Sequence, residues 1–197
     1  MKSAIRITAL MLSIPIAALG QNASLRPLDL TDKAYTVISA FLRVQLAVKN
    51  SWGDIRVGTP GSVIAPETMP WKEAISPQYK RWMKHNMKGL RNDTIADFQR
   101  CAASSVPFGH RLSLPVEYQI ATQEEAGSVE KLYANHPVHD TFGLLQFSCV
   151  GWDTSETQAL FLFERTKCHC GVSQFVLMEK NTAGEWETKA VMMRWID

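Results

Sequence analysis

The chain has 197 residues, 46% of them hydrophobic and 20% charged, with 21 Lys and Arg against 19 Asp and Glu. A formal net charge of +2 gives no whole-chain electrostatic case for nucleic acid or an anionic membrane. No low-complexity tract and no fixed-period repeat breaks the ordinary globular composition.

Lys2 and Arg6 form a short basic start, Ala9 to Ala18 is an almost unbroken apolar run, and Ala18-Leu19-Gly20 sets small residues at −3 and −1 of a cleavage point. This is the layout of a secretory signal peptide over residues 1–20. The run is too short to cross a bilayer comfortably, and no Cys stands at the cleavage point to be lipidated. Removing 20 residues from 197 leaves 177, enough for one domain, 21–197, in a periplasmic or extracellular setting. Lys2 and Arg6 leave with the leader, so 21 basic residues fall to 19 against 19 acidic ones. The mature chain is formally neutral.

Thr31 or Asp32 can cap a helix over about 32–48, with Tyr35, Ile38, Phe41, Leu42 and Gln45 at helical spacing. Gly53, Gly58, Pro60, Gly61, Pro66 and Pro70 then leave room only for a short strand near Ser62–Ala65. Pro77 followed by Gln78 to Leu90 predicts a second helix, with Gly89 near its end. Asp93 is the expected cap of a third helix through Ile95, Phe98 and Ala102. Pro115 to Ile120 reads as extended, and Gln123 to Ala134 as a fourth helix.

The final third changes period. Gly143–Val150, Gln158–Arg165, Val172–Lys180 and Trp186–Ile196 are rich in β-branched and aromatic residues and are separated by turn-like segments. They predict a four-stranded antiparallel meander. Ala159 to Phe163 is apolar at every position, so its strand is expected to be central and covered on both faces by the upstream helices. The fold class is α+β.

One resemblance rests on Val150-Gly151-Trp152, Gln158-Ala159-Leu160, Cys170-Gly171, Leu177 to Lys180 and Gly184 to Trp186, with Asp97-Phe98 and Pro115-Val116-Glu117-Tyr118 upstream. Over roughly residues 93–197 the chain resembles a family of exported bacterial proteins with no known activity. The resemblance implies an exported globular domain. The chain departs from the pattern in its Cys loop, where only His169 separates Cys168 from Cys170.

Four Cys in an exported chain make disulfides the expectation. In the meander, a strand of about ten residues at ~3.3 Å each puts Cys149 ~25–30 Å from Cys168 and Cys170. A bridge needs Cα atoms within ~7 Å. Cys101–Cys149 is therefore the expected helix-to-sheet bridge, and Cys168 and Cys170 pair with each other or stay partly reduced. A redox-active Cys-x-Cys pair is the competing reading.

Candidate chemistry is sparse. His136, His139 and Asp140 could hold a metal or an acid–base pair, although Pro137 argues against a shared helical face and a metal needs a third ligand. His110 and His169 would have to come from elsewhere in the fold. Gly171-Val172-Ser173 begins like a nucleophile elbow, but Phe175 stands where the second Gly belongs. No Walker loop or dinucleotide fingerprint implies a cofactor. Glu124 and Glu125 open a helix, where they favour the macrodipole. Lys80, Lys84 and Lys88 recur at i, i+4 and i+8 with Arg81 beside them, and Met83, Met87 and Leu90 lie on another face. That stripe reads first as a solvated face and second as a membrane-surface contact. Trp186 and Trp195 read as sheet packing. The resulting expectation is an exported, non-catalytic binding or envelope-associated domain with a protein or envelope component as partner. The alternative is an exported metal-assisted hydrolase using His136, His139 and Asp140.

Overall fold

The computed structural model describes residues 30–47, 62–71, 75–136, 143–167 and 170–196. The expected leader, the His139 and Asp140 positions, and Cys168 and His169 lie outside the described residues. Strand β5 (Gln158–Lys167) organises everything around it. Ala159, Phe161 and Phe163 point to one face and Leu160 and Leu162 to the other, all buried. Because side chains alternate along a strand, an unbroken apolar run demands cover on both sides.

Helix α1 (Asp32–Ala47) supplies one cover. Its Tyr35, Ile38, Phe41 and Leu42 are buried at the expected spacing, and the Phe41 ring meets Phe161 and Phe163 edge-on at 5.5 and 5.1 Å. Helices α2 (Pro77–Asn86) and α3 (Asn92–Cys101) supply the other, where Met83, Met87, Ile95 and Phe98 pack with Leu160, Leu162, Phe175 and Leu177. The result is three layers, helix on sheet on helices.

The sheet is larger than the meander predicted from sequence. Among the described residues it has seven strands, in the order β2-β1-β3-β5-β6-β7, with β4 also paired to β5. Strands β5, β6 (Cys170–Lys180) and β7 (Trp186–Ile196) run antiparallel in succession. On the other side of β5 the expected strand Gly143–Val150 shortens, and Gly151-Trp152, expected as a turn, forms a strand of its own. β3 (Leu144–Phe147) pairs with Thr166 to Phe163, and β4 (Gly151–Trp152) pairs with Leu160 and Ala159. Beyond β3, β1 (Ser62–Ile64) and β2 (Tyr118–Ile120) add parallel pairings. Three-residue strands are too short to display a period, so their place in the sheet was not legible.

Two helix expectations are also corrected. The predicted helix from Gln123 to Ala134 is two helices, α4 (Gln123–Ala126) and α5 (Val129–Asn135). Ser128 breaks it by accepting the Lys131 amide at 3.3 Å as a new N-cap, while Thr122 and Glu125 close a capping box on α4. Asp93 is not the cap of α3, because the helix already begins at Asn92. Its carboxylate is committed elsewhere. The expected Cys101–Cys149 disulfide forms, with Cα atoms 6.0 Å apart, tying the end of α3 to the segment after β3.

Candidate functional site

Helix α2 is built by a few local choices. Ser76 accepts the Tyr79 amide at 3.1 Å, Pro77 occupies the first turn, and the Met87 amide returns to the Met83 carbonyl at 2.7 Å. Gly89 then takes φ +88°, a left-handed turn that side chains rarely adopt. Burying Met83, Met87 and Leu90 fixes the rotation of the helix. Arg81, Lys84, His85 and Lys88 therefore face water, and Lys80 is half-buried. Trp82 stands out among them at 42% exposure, its ring 5.2 Å from that of Tyr79. Tyr79 in turn packs on Trp71 and Phe175.

The α2 sequence contains no acidic residue. Among the described residues, none of Lys80, Arg81, Lys84 and Lys88 is in an ion pair. A chain of formal net charge +2 thus sets four cations, none in an ion pair among the described residues, along one side of α2 and the turn after it, with the exposed Trp82 indole on the flank of the same helix. The cations were visible in the sequence. Trp82 was missed, although its helical angle lies well outside the Met83–Met87–Leu90 stripe.

Immediately downstream, charge is handled in the opposite way. Arg91 pairs with the buried Asp153, and its backbone amide reaches Gln158 Oε1 at 2.8 Å. Thr94 donates to the same oxygen at 2.9 Å, and Gln158 Nε2 donates to the Gly89 carbonyl at 3.0 Å. Asp153 Oδ1 accepts the amides of Thr157 and Gln158 at 2.7 and 2.6 Å. Burial alone would raise the Asp153 pKa. The Ser155 hydroxyl, the Gln158 and Thr157 amides and the Arg91 guanidinium outweigh it and hold the carboxyl well below the usual range. Asp93 accepts the Thr154 amide and hydroxyl, each at 2.9 Å, and the Thr154 amide is the leading cause of its lowered pKa. Asp97 accepts the Trp152 amide at 2.9 Å and pairs with Arg100. An open cleft outside this network is lined by Asp93, Asp97, Arg100, Trp152 and Glu156. Its α3 carboxylates Asp97 and Asp93 accept the amides of Trp152 in β4 and of Thr154 in the turn after it, so the arrangement positions backbone.

The remaining sequence candidates fall into separate places. His136 ends α5 with Nε2 3.4 Å from Glu125 Oε1, while His139 and Asp140 lie outside the described residues. Glu125 also accepts the Thr122 amide at 2.8 Å and the Asn135 amide side chain at 2.6 Å. The Thr122 amide first, then Asn135, bring its pKa down to about 2. Glu124 pairs with Lys131. Ser173 is buried within β6 and donates to Glu164 at 2.7 Å, so it does not sit on a nucleophile turn. His110 stacks on Tyr118. Trp186 meets Trp152 edge-on at 5.7 Å, consistent with packing, and Trp195 lies in β7. Cys170, expected in a turn, begins β6 and is exposed, with no disulfide among the described residues. No group of three His, Cys, Asp or Glu capable of holding a metal occurs among the described residues.

No protein-family model matches the chain, and neither a curated protein nor a solved structure is detectably similar to it.

Proposed function

We propose that this chain is an exported, non-catalytic binding domain that associates with the cell envelope through the exposed face of α2. The observation carrying this reading is the row of Lys80, Arg81, Lys84 and Lys88, with no acidic residue on the helix and an exposed Trp82 flanking the row. Exposed, uncompensated charge is a recognition feature when it is concentrated and unpaired, because it steers an oppositely charged partner without rearrangement of the fold. The basic start, apolar run and small-residue cleavage point of residues 1–20 support export, as does the resemblance to exported bacterial proteins. The Cys101–Cys149 bridge fits an oxidising compartment.

Fractionating cells that express the full chain tests the reading. The protein is expected to begin at Gln21, to sediment with the envelope and to be released by high salt. An Arg81→Gln/Lys84→Gln variant is expected in the soluble exported fraction. An intact leader on cytosolic protein overturns export, and unchanged envelope retention of the variant overturns the role of α2.

A further inference from the structure

We infer that the partner of the α2 face is an anionic phospholipid surface, with Lys80, Arg81, Lys84 and Lys88 meeting headgroups and Trp82 entering the headgroup layer from the flank of the same exposed face. The inference rests on the envelope-binding reading and names its partner.

Three features of the face favour lipid over an acidic protein. First, the apolar side of α2 is consumed by the core, since Met83 and Met87 are fully buried. The helix therefore cannot roll over to insert its apolar side, and binding must use headgroups and whatever apolar group remains outside. Second, the group that remains outside is an indole. Trp suits the headgroup layer because its ring is amphipathic, with an apolar body and one N–H donor. Trp82 packs against Tyr79, whose ring packs in turn on Trp71 and Phe175, so the exposed indole is anchored at its base to the core. Third, the cations are mostly flexible, single-point donors, with three Lys to one Arg and no preformed carboxylate fork. Such a set matches a laterally mobile array of phosphates better than a fixed pattern of acidic side chains. Among the described residues, the neighbouring charged groups do not cancel it. Arg91 is taken by Asp153, and Arg194, on the packed strand β7, pairs with Glu164. On β7, Lys189 and Glu187 are also present, and Lys189 pairs with Glu179.

The test is sedimentation of the full chain with vesicles of phosphatidylcholine alone or of phosphatidylcholine with phosphatidylglycerol. The zwitterionic vesicles measure binding that does not depend on lipid charge, including any from the N-terminal segment. Binding is expected to require phosphatidylglycerol and to fall with salt. Each cation removed is expected to lower partitioning roughly fivefold, so Arg81→Gln/Lys84→Gln loses about 25-fold. Trp82→Ala is expected to weaken binding at every salt concentration, and Trp82→Phe less so. All of these positions are solvent-facing, and unchanged melting temperatures certify the fold of each variant. Equal binding to both vesicle types overturns the inference. So does binding to immobilised polyglutamate that matches binding to the charged vesicles and ignores Trp82. Loss of envelope retention in the Gln variant without any vesicle binding would sink the lipid assignment while leaving the envelope reading intact.

Discussion

Gly151 and Phe98 touch through their backbones: a Cβ placed on Gly151 would overlap the amide nitrogen, Cα and Cβ of Phe98. Helix α3 therefore lies directly on β4, and three further ties hold it there. Asp97 takes the Trp152 amide, Asp93 takes Thr154, and Cys101 is joined to Cys149. The Val-Gly-aromatic step is where the absence of a side chain lets helix and sheet backbones meet.

Gly151→Ala is expected to destabilise the fold by ~3 kcal/mol, since backbone cannot yield as a side chain can. Gly184→Ala provides the contrast. Gly184 has φ +82° but nothing near its would-be Cβ, so only backbone strain applies, about 1 kcal/mol. Urea unfolding of the two variants checks the order, and a smaller loss for Gly151→Ala would contradict the close contact.

Cys149→Ser is expected to cost ~4 kcal/mol, the chain-entropy value for a loop of this size. The bridged residues are 48 apart in sequence. Cys170→Ser, at an exposed position without a disulfide among the described residues, should leave the melting temperature almost unchanged. Melting curves with and without reductant separate the two, and reductant should destabilise the parent protein as much as Cys149→Ser does.

Asp153→Ala removes the acceptor for the Thr157 and Gln158 amides. Orphaning buried donors costs ~1–3 kcal/mol each, and ~3 kcal/mol is expected overall because Arg91, half in water, rehydrates. Denaturant midpoints measure this. Thr154→Ala keeps the Asp153 contacts and should cost well under half as much.

Glu125 gives a pH signature. Its folded pKa of about 2 lies below the ordinary 4.5, so the unfolded chain binds the proton first as pH falls. Its stabilising contribution is complete above the ordinary value and is lost as pH drops from 4.5 through 2. Unfolding midpoints measured across that window should fall less steeply in Glu125→Gln than in the parent. An unchanged slope would remove Glu125 from the acid limb.

Much of this architecture was legible wherever a signal was local. Tyr35, Ile38, Phe41 and Leu42 revealed α1 through their spacing, and the run Ala159–Phe163 revealed a strand buried on both faces. The Cys101–Cys149 bridge followed from the expectation of disulfides together with the strand length that keeps Cys149 far from Cys168 and Cys170. What stayed hidden depends on partners far away in sequence. Asp93 looks like a helix cap because caps are judged from neighbours, whereas its actual partner, Thr154, lies beyond three sheet strands. Arg91 and Asp153 carry no mutual mark in the sequence. The division of α4 from α5 was more accessible, since Gly127-Ser128 is both a breaker and a cap. At the candidate site the cations were plain, and the indole flanking them became evident only once the buried Met pair fixed the helix rotation.

The disulfide has a consequence for the order of assembly. Residues 101–149 form a closed covalent ring that contains both β2 and β3, yet those strands do not touch each other. The strand between them, β1, comes from outside the ring. It cannot be zipped into place from an adjacent turn, because both of its neighbours are reached only through long detours of chain. Completing this end of the sheet brings a three-residue segment from outside the ring between two of the ring's strands, pairing with each in parallel. That makes Ser62–Ile64, one of the shortest strands in the molecule, its keystone.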